Sequence, residues 1–310
     1  MKKKKTHDRP SLDKYTVKRL TATAALAAAA VLSIVFRAEI KALFAFSGIE
    51  SIYAQAEHYP LSIYFPDAGS AGCALIHSSE SGDILIDCGR EKAQHDILSV
   101  LSYLDIDTID TAILTHPDSD HIGNFSEVVS HVPVDRFITC EYSRTCKTQL
   151  YISLSDMLDE HDIPITYAKK SDTFSVGDIS LDILSPDMIY KKSNDNSLVI
   201  RLTYNGFTAL FTGDITKKAE KDILESGEDL SADMLCVSHH GSGSSSTEEF
   251  LNAVSPDISV ISVQESEYTP NGGTIKRLAD TGSEIYRTDI SGTIAVFLDE
   301  NGEINIRTEK

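Results

Sequence analysis

Beyond residue 58 the chain alternates short apolar runs with segments of helical period. Runs at 61–65 (LSIYF), 73–77 (CALIH), 83–87 (DILID), 111–115 (TAILT), 135–139 (DRFIT) and 179–184 (ISLDIL) predict strands. So do 197–204 (SLVIRLTY), 207–212 (FTALFT), 232–237 (ADMLCV) and 257–262 (DISVIS), with later strands in EIYRT and GTIAVFL. Asn205-Gly206 and Asn301-Gly302 have the residues of two-residue hairpin turns. Helical period appears at 92–104, 148–160, 216–225, 247–254 and 272–281, and Ser246 with Glu249 fits a capping box opening the fourth. Hairpins early and late, with strand–helix alternation between, predict mixed sheets covered by helices. No composition break divides residues 59–310, so one domain is expected there.

The N-terminal segment has a different pattern. Leu20 to Phe36 runs 17 residues without a charge, preceded by Lys18-Arg19 and lacking the polar stripe of a surface helix. It predicts a membrane segment at 20–36 between a basic cytoplasmic tail (1–19) and a linker (37–58), with the body outside the cell membrane. An uncleaved anchor is favoured over a cleaved signal, because Arg37, Glu39 and Lys41 follow the apolar run directly. Cleavage would leave a secreted protein. Charge follows the same division: residues 1–37 hold nine Lys/Arg and two acids, and the rest holds 19 basic and 45 acidic side chains. So acidic a body disfavours general binding to nucleic-acid backbones. Lys217, Lys218 and Lys221, or Lys276 and Arg277, could make a local basic patch, although solvated helix faces are the simpler reading.

An exterior location bears on the five cysteines. Cys73 and Cys88 flank a hairpin symmetrically and could pair, as could Cys140 and Cys146 across a short loop. Free buried thiols are the equal alternative. Cys236 reads as a core residue.

The candidate chemistry gathers at strand ends. TAILTHPDSDHIGN puts His116, Asp118, Asp120 and His121 within six residues directly after a strand, a density of metal-ligating side chains that solubility does not require. FTALFTGDI delivers Asp214 after another strand, and ADMLCVSHHGS delivers His239 and His240 after a third. Carboxylates and imidazoles from separate strand ends can converge on one sheet edge and hold two metals bridged by an Asp such as Asp214. The loop GSGSSS, which contains Ser242, could offer backbone N–H groups to an anion.

These motifs, with ILIDCG (84–89), NDNSLVIRL (194–202), VSHHGSGSSS (237–246) and YRTDISGTI (286–294), resemble the metallo-β-lactamase fold superfamily. They are most similar to the hydrolase domain of ComEC-type competence proteins. The resemblance covers residues 59–310 and implies a mixed α/β (α+β) fold, a four-layer αββα sandwich with the site on one edge. It implies that His116 and Asp118 hold a first metal, Asp120 and His121 a second, with Asp214 bridging and one of His239 and His240 completing the second. Asp120, His121 and Asp214 are thereby the implied catalytic residues, and Asp87, Asn194, Asn196 and Ser242 the supporting or substrate-facing ones. The implied cofactors are two divalent ions, Zn²⁺ or Mn²⁺ with Mg²⁺ possible. Asp118 replaces the family's second loop His, DAGSAGCA (67–74) departs from D-V-G-Q-G-D-A, and Thr269 stands where relatives often carry a His.

The function implied is that of an exported, membrane-anchored hydrolase, in which a hydroxide held by two metals attacks a phosphodiester: a nucleotide, DNA or an envelope polymer. The alternatives are a non-catalytic metal-binding scaffold and a competence-related DNA-handling module at the membrane.

Overall fold

The computed structural model describes residues 52–91 and 94–310. The basic tail, the apolar segment at 20–36 and most of the linker expected before residue 59 lie outside them. No helix among the described residues is long and apolar enough to cross a membrane.

Two sheets make up the body. The first has eight strands in the order β15 (Ile304–Thr308), β14 (Ile294–Leu298), β1 (Leu61–Phe65), β2 (Cys73–Ser78), β3 (Gly82–Cys88), β4 (Thr111–Leu114), β5 (Phe137–Cys140) and β6 (Ile165–Ala168). The second has seven: β13 (Glu284–Arg287), β12 (Ile258–Ile261), β11 (Met234–Cys236), β10 (Phe207–Phe211), β9 (Val199–Tyr204), β8 (Ile179–Ser185) and β7 (Thr173–Val176). Each is antiparallel on one side, while β3 through β6 and β10 through β13 run parallel.

Alternation along the strands sorts apolar side chains into three cores. Ile76, Ile84 and Ile86 meet Leu181, Leu202 and Phe211 between the sheets. Leu75, Leu85 and Leu114 face the other way, onto Val128 and Phe125 of helix Phe125–His131 and Leu154 of helix Gln149–Glu160. Leu210, Leu235 and Ile261 likewise pack against Ala219, Phe250 and Leu278, from helices Lys217–Glu225, Glu248–Val254 and Gly272–Asp280. Helices thus cover both outer faces. Because the parallel strands join through these helices, their carboxyl ends point to one edge, where the candidate loops emerge.

Asn205-Gly206 joins Tyr204 to Phe207 with φ of +46° and +86°, a two-residue hairpin as expected. At Asn301-Gly302 the connection is longer: β14 ends at Leu298 and β15 begins at Ile304, with Asp299 accepting the backbone N–H groups of Asn301 and Glu303. The expected capping box is not formed, and a simple cap one residue on replaces it. Ser246 takes φ +55° and Thr247 becomes the N-cap, its hydroxyl accepting from the Phe250 N–H. Ile52–His58, expected to be linker, is a 3₁₀ helix whose Ile52 and Ala56 join the outer core of the first sheet.

Neither expected disulfide is formed. Cys73 and Cys88 do face each other across β2 and β3, as symmetry about the turn required, but both keep buried thiols. Cys140 lies buried at the end of β5, where Ser143 Oγ sits 3.4 Å from its sulfur, and Cys146 rests beside Thr148 at 3.3 Å. Cys236 is half-buried against the inter-sheet core. Four of the five candidate basic residues are committed locally. Lys218, Lys221 and Lys276 pair with carboxylates four residues on, and Arg277 donates to the Ser245 and Ser246 carbonyls.

Candidate metal centre

The loop after β4 opens with Thr115 and His116 and turns into the short helix Ser119–Ile122. Asp87, at the end of β3 with φ +55°, anchors it by accepting from Thr115 N–H (2.7 Å) and Thr115 Oγ1 (2.8 Å). The same carboxylate accepts from His121 Nδ1 at 2.6 Å. Gly72 lies directly over this pair, where a Cβ would stand 2.5 Å from His121 Nδ1 and 2.9 Å from Asp87 Oδ2.

Hydrogen-bond partners assign the imidazole tautomers. With the Thr115 hydroxyl proton on Asp87 and that of Ser197 on the Asn194 carbonyl (2.7 Å), both oxygens can only accept from His116 Nδ1, each at 3.2 Å. His240 Nδ1–H donates to the Ser262 carbonyl at 2.9 Å. In its neutral form each of the three rings therefore carries its proton on Nδ1, and Nε2 is the atom left to face a cation. All three Nε2 atoms, and Asp214 Oδ1, are buried without a hydrogen-bond partner. Orphaned polar atoms at this depth are costly and rare, and four in one place, each of a type that ligates metals, fit a cation.

The four converge. One ligand atom each from His116, His121 and Asp214 lies within 4.8 Å of the others, and so it is for Asp120, His121 and His240. His121 Nε2 is 3.2 Å from Asp214 Oδ1, and His240 Nε2 is 3.7 Å from Asp120 and 3.8 Å from Asp214. A cavity of about 30 Å³, lined by Gly72, Asp87, His121, Asp214 and His240 among others, adjoins them. Burial opposes the charge on Asp214, but the imidazoles of His121 and His240 outweigh it and its pKa lies well below the ordinary carboxylate value. Burial likewise works against Asp120, yet His240 and His121 bring it down to about 2. His121 is raised well above its usual value, since Asp214 and Asp87 overcome the desolvation that lowers it.

Asp118 falls outside both groups. The imidazole of His116 lowers its pKa; its Oδ2 is 3.6 Å from His116 Nε2, and its Oδ1 accepts from Ser193 Oγ at 2.6 Å. His239 and His240 both turn toward the site, because both adopt left-handed backbone (φ +53°) and strand alternation does not apply. His240 is the buried one; His239, 31% exposed, lies at the mouth with Nε2 3.8 Å from Asp214. Asn194 joins them, its amide 3.4 Å from Asp214 and 3.5 Å from His239. Asn196 instead staples its own loop through the backbone of Tyr190 and Lys192.

The expected anion cradle at GSGSSS is corrected. Four of its six N–H groups serve the fold: Ser246 N–H donates to the fully buried Glu220, which also takes the Thr247 N–H and hydroxyl, while those of Ser242, Ser244 and Ser245 go to His239 O, Ser242 Oγ and Ser242 O. The Ser242 side chain meets Ser244 at 3.0 Å and reaches no member of the cluster. Thr115, Ser193, Ser262 and Arg90 are the site residues that sequence reasoning did not single out. Of these only Thr115, inside the THPDSDH run, carried a sequence signal.

Comparison with known proteins matches residues 67–265 to the metallo-beta-lactamase superfamily. "ComE operon protein 3" of Bacillus subtilis is 29% identical over 236 residues, 69% of this chain and 30% of that protein. "Competence protein ComA" of Neisseria gonorrhoeae is 27% identical over 245 residues, 76% of this chain and 32% of that protein. The chain thus spans about a third of the length of these relatives. Among solved structures, CmlA, a diiron β-hydroxylase from Streptomyces venezuelae, superposes with a TM-score of 0.51 at 12% identity, over 74% of this chain and 53% of that one. With the matched family span covering most of the two-sheet body and the His/Asp loops on its strand-end edge, the chain belongs to the metallo-β-lactamase superfamily.

Proposed function

We propose that the protein is an exported metal-dependent phosphodiesterase, tethered to the membrane through residues 20–36 with its hydrolase domain (59–310) outside. The observation that carries the hydrolase reading is the convergence of three Nε2 atoms and a carboxylate oxygen, all buried and without a hydrogen-bond partner among the described residues. His116, His121, Asp214, Asp120 and His240 would hold one or two divalent ions, with Asp118 and His239 at the rim. Ions there would polarise a phosphoryl oxygen and lower the pKa of water. Imidazole nitrogens mixed with carboxylates suit Zn²⁺ or Mn²⁺.

This chain's own residues supply the rest. Asp87 holds His121 in its Nδ1–H tautomer, as the Ser262 carbonyl does for His240. Gly72 leaves room for the first of these pairs. His239 and the Asn194 amide stand at the mouth, where a leaving group would exit. Likeness to competence proteins favours a second reading, in which the substrate is DNA handled at the membrane. The test is hydrolysis of bis(p-nitrophenyl) phosphate by the purified full chain with Mn²⁺, Zn²⁺ and Mg²⁺ added separately, and His121→Ala as control. Metal-dependent turnover absent from the variant is expected. Metal bound without turnover in any condition would remove the phosphodiester reading.

A further inference from the structure

Four carboxylates surround the cluster, yet among the described residues only one Lys or Arg pairs with any of them. Arg90 Nη2 donates to Asp120 Oδ2 at 3.0 Å, and Nε donates to the Ser70 carbonyl at 3.2 Å. A guanidinium has five N–H donors in a planar fork. Two are used here, and among the described residues no other acceptor meets the remaining three. The side chain is 53% exposed while Asp120 is 20% exposed, so the fork lies outward of Asp120, between the cluster and solvent.

A surface arginine is ordinarily a mobile one, but this one is held at its base. The Asn124 amide donates to the Arg90 carbonyl at 2.6 Å and to the Cys88 carbonyl at 2.8 Å. Gly123 N–H donates to Gly89 O at 2.9 Å, and a Cβ on Gly123 would stand 2.5 Å from Glu91 N and 2.8 Å from the Arg90 carbonyl carbon. On the far side, Ser70 is itself fixed, its hydroxyl meeting the backbone of Gln264. Both the stem and the Nε acceptor are thus anchored, which lowers the entropy lost when the fork takes an anion.

We propose that Arg90 is a substrate-binding residue that takes a phosphoryl oxygen of the anion entering the cluster, selecting phosphate-bearing substrates over neutral esters. The inference rests on the phosphodiesterase reading for its substrate class. Asp120 holds the guanidinium beside the cluster, 3.0 Å from its own Oδ2, and the three unused N–H groups supply charge-assisted donors. An acidic protein can in this way admit an anion through one local cation despite its overall charge.

The experiment is calorimetric titration of inorganic phosphate into the Mn²⁺-loaded full chain, with Arg90→Met and Arg90→Lys, alongside metal content per chain. Phosphate affinity is expected to fall at least tenfold in Arg90→Met and by a smaller factor in Arg90→Lys, with metal content equal to wild type. Wild-type protein that binds no phosphate, or Arg90→Met that binds it as tightly, overturns the proposal. Metal content falling in step with affinity in both variants overturns it too, by making Arg90 a support for Asp120 only. Phosphate binding that depends on Arg90 without diester turnover would leave this inference standing and remove the phosphodiesterase reading.

Discussion

Gly72 shows how little freedom the centre has. A methyl group there would enter the space of His121 Nδ1 and Asp87, so Gly72→Ala should cost about 1–3 kcal/mol of stability and displace the imidazole. Thermal melting with metal analysis checks this, and metal content should fall further than the melting temperature suggests. Asp87→Asn keeps the shape but removes the anionic acceptor from His121. About 10–100-fold weaker metal binding is expected, read by chelator competition. The metal-free protein should also respond to pH in a defined sense. Raised above its ordinary 6.5, His121 contributes stability that is complete below that value and is lost as pH rises through the folded pKa. Asp214, depressed below 3.8, contributes stability present above that value and lost as pH falls through its folded pKa. Chelated protein should therefore melt higher at about pH 6 than at about pH 9. Added metal should reverse the order, because ions replace the His121 proton and bind more tightly as pH rises.

At the scale of elements, the two sheets repeat one plan: a run of antiparallel strands, then three parallel crossovers. Asp87 at the end of β3 answers to Asp214 after β10, and His116 after β4 to His239 after β11, so His121 sits between two carboxylates, one from each sheet. No repeat shows in the residues themselves; it appears only as topology. Strands buried on both faces were legible as apolar runs. β6 and β7 were not, since sheet edges need less burial and Thr173–Val176 is mostly exposed or half-buried. The loop THPDSDH, the GD turn and the HH pair were legible because several ligand types fall close together. Ser262, Glu220 and Arg90 act across 22 to 30 residues, and nothing local marks such contacts. Glu220 illustrates the cost of missing them. It occupies one N–H of the loop and that of the following cap residue, so Glu220→Ala should cost about 1–3 kcal/mol by leaving buried N–H groups unmet. Denaturant melts check this, and Thr247→Ala should cost about 1 kcal/mol through the lost cap.

Over the whole molecule, the formal charge of −19 is concentrated in the body, since the first 37 residues are basic. A phosphate-bearing substrate meets an unfavourable long-range field and a favourable local one. Raising salt should screen the first more than the second, so KM for an anionic diester should fall as ionic strength rises from about 0.01 to 0.15 M. A KM that climbs over this range would mean that attraction dominates the approach.

The cluster also straddles a seam. His116, Asp120 and His121 follow β4 of one sheet, while Asp214 and His240 follow β10 and β11 of the other. An ion bound among them would act as a rivet between two slabs otherwise joined by side-chain packing. Neither slab could assemble the site alone, so occupancy would report that the halves have docked, and the newly folded protein would acquire its metal last. Stripping the ion would loosen the joint before it melted either sheet, and hydrogen exchange should first quicken along the strand ends facing the seam.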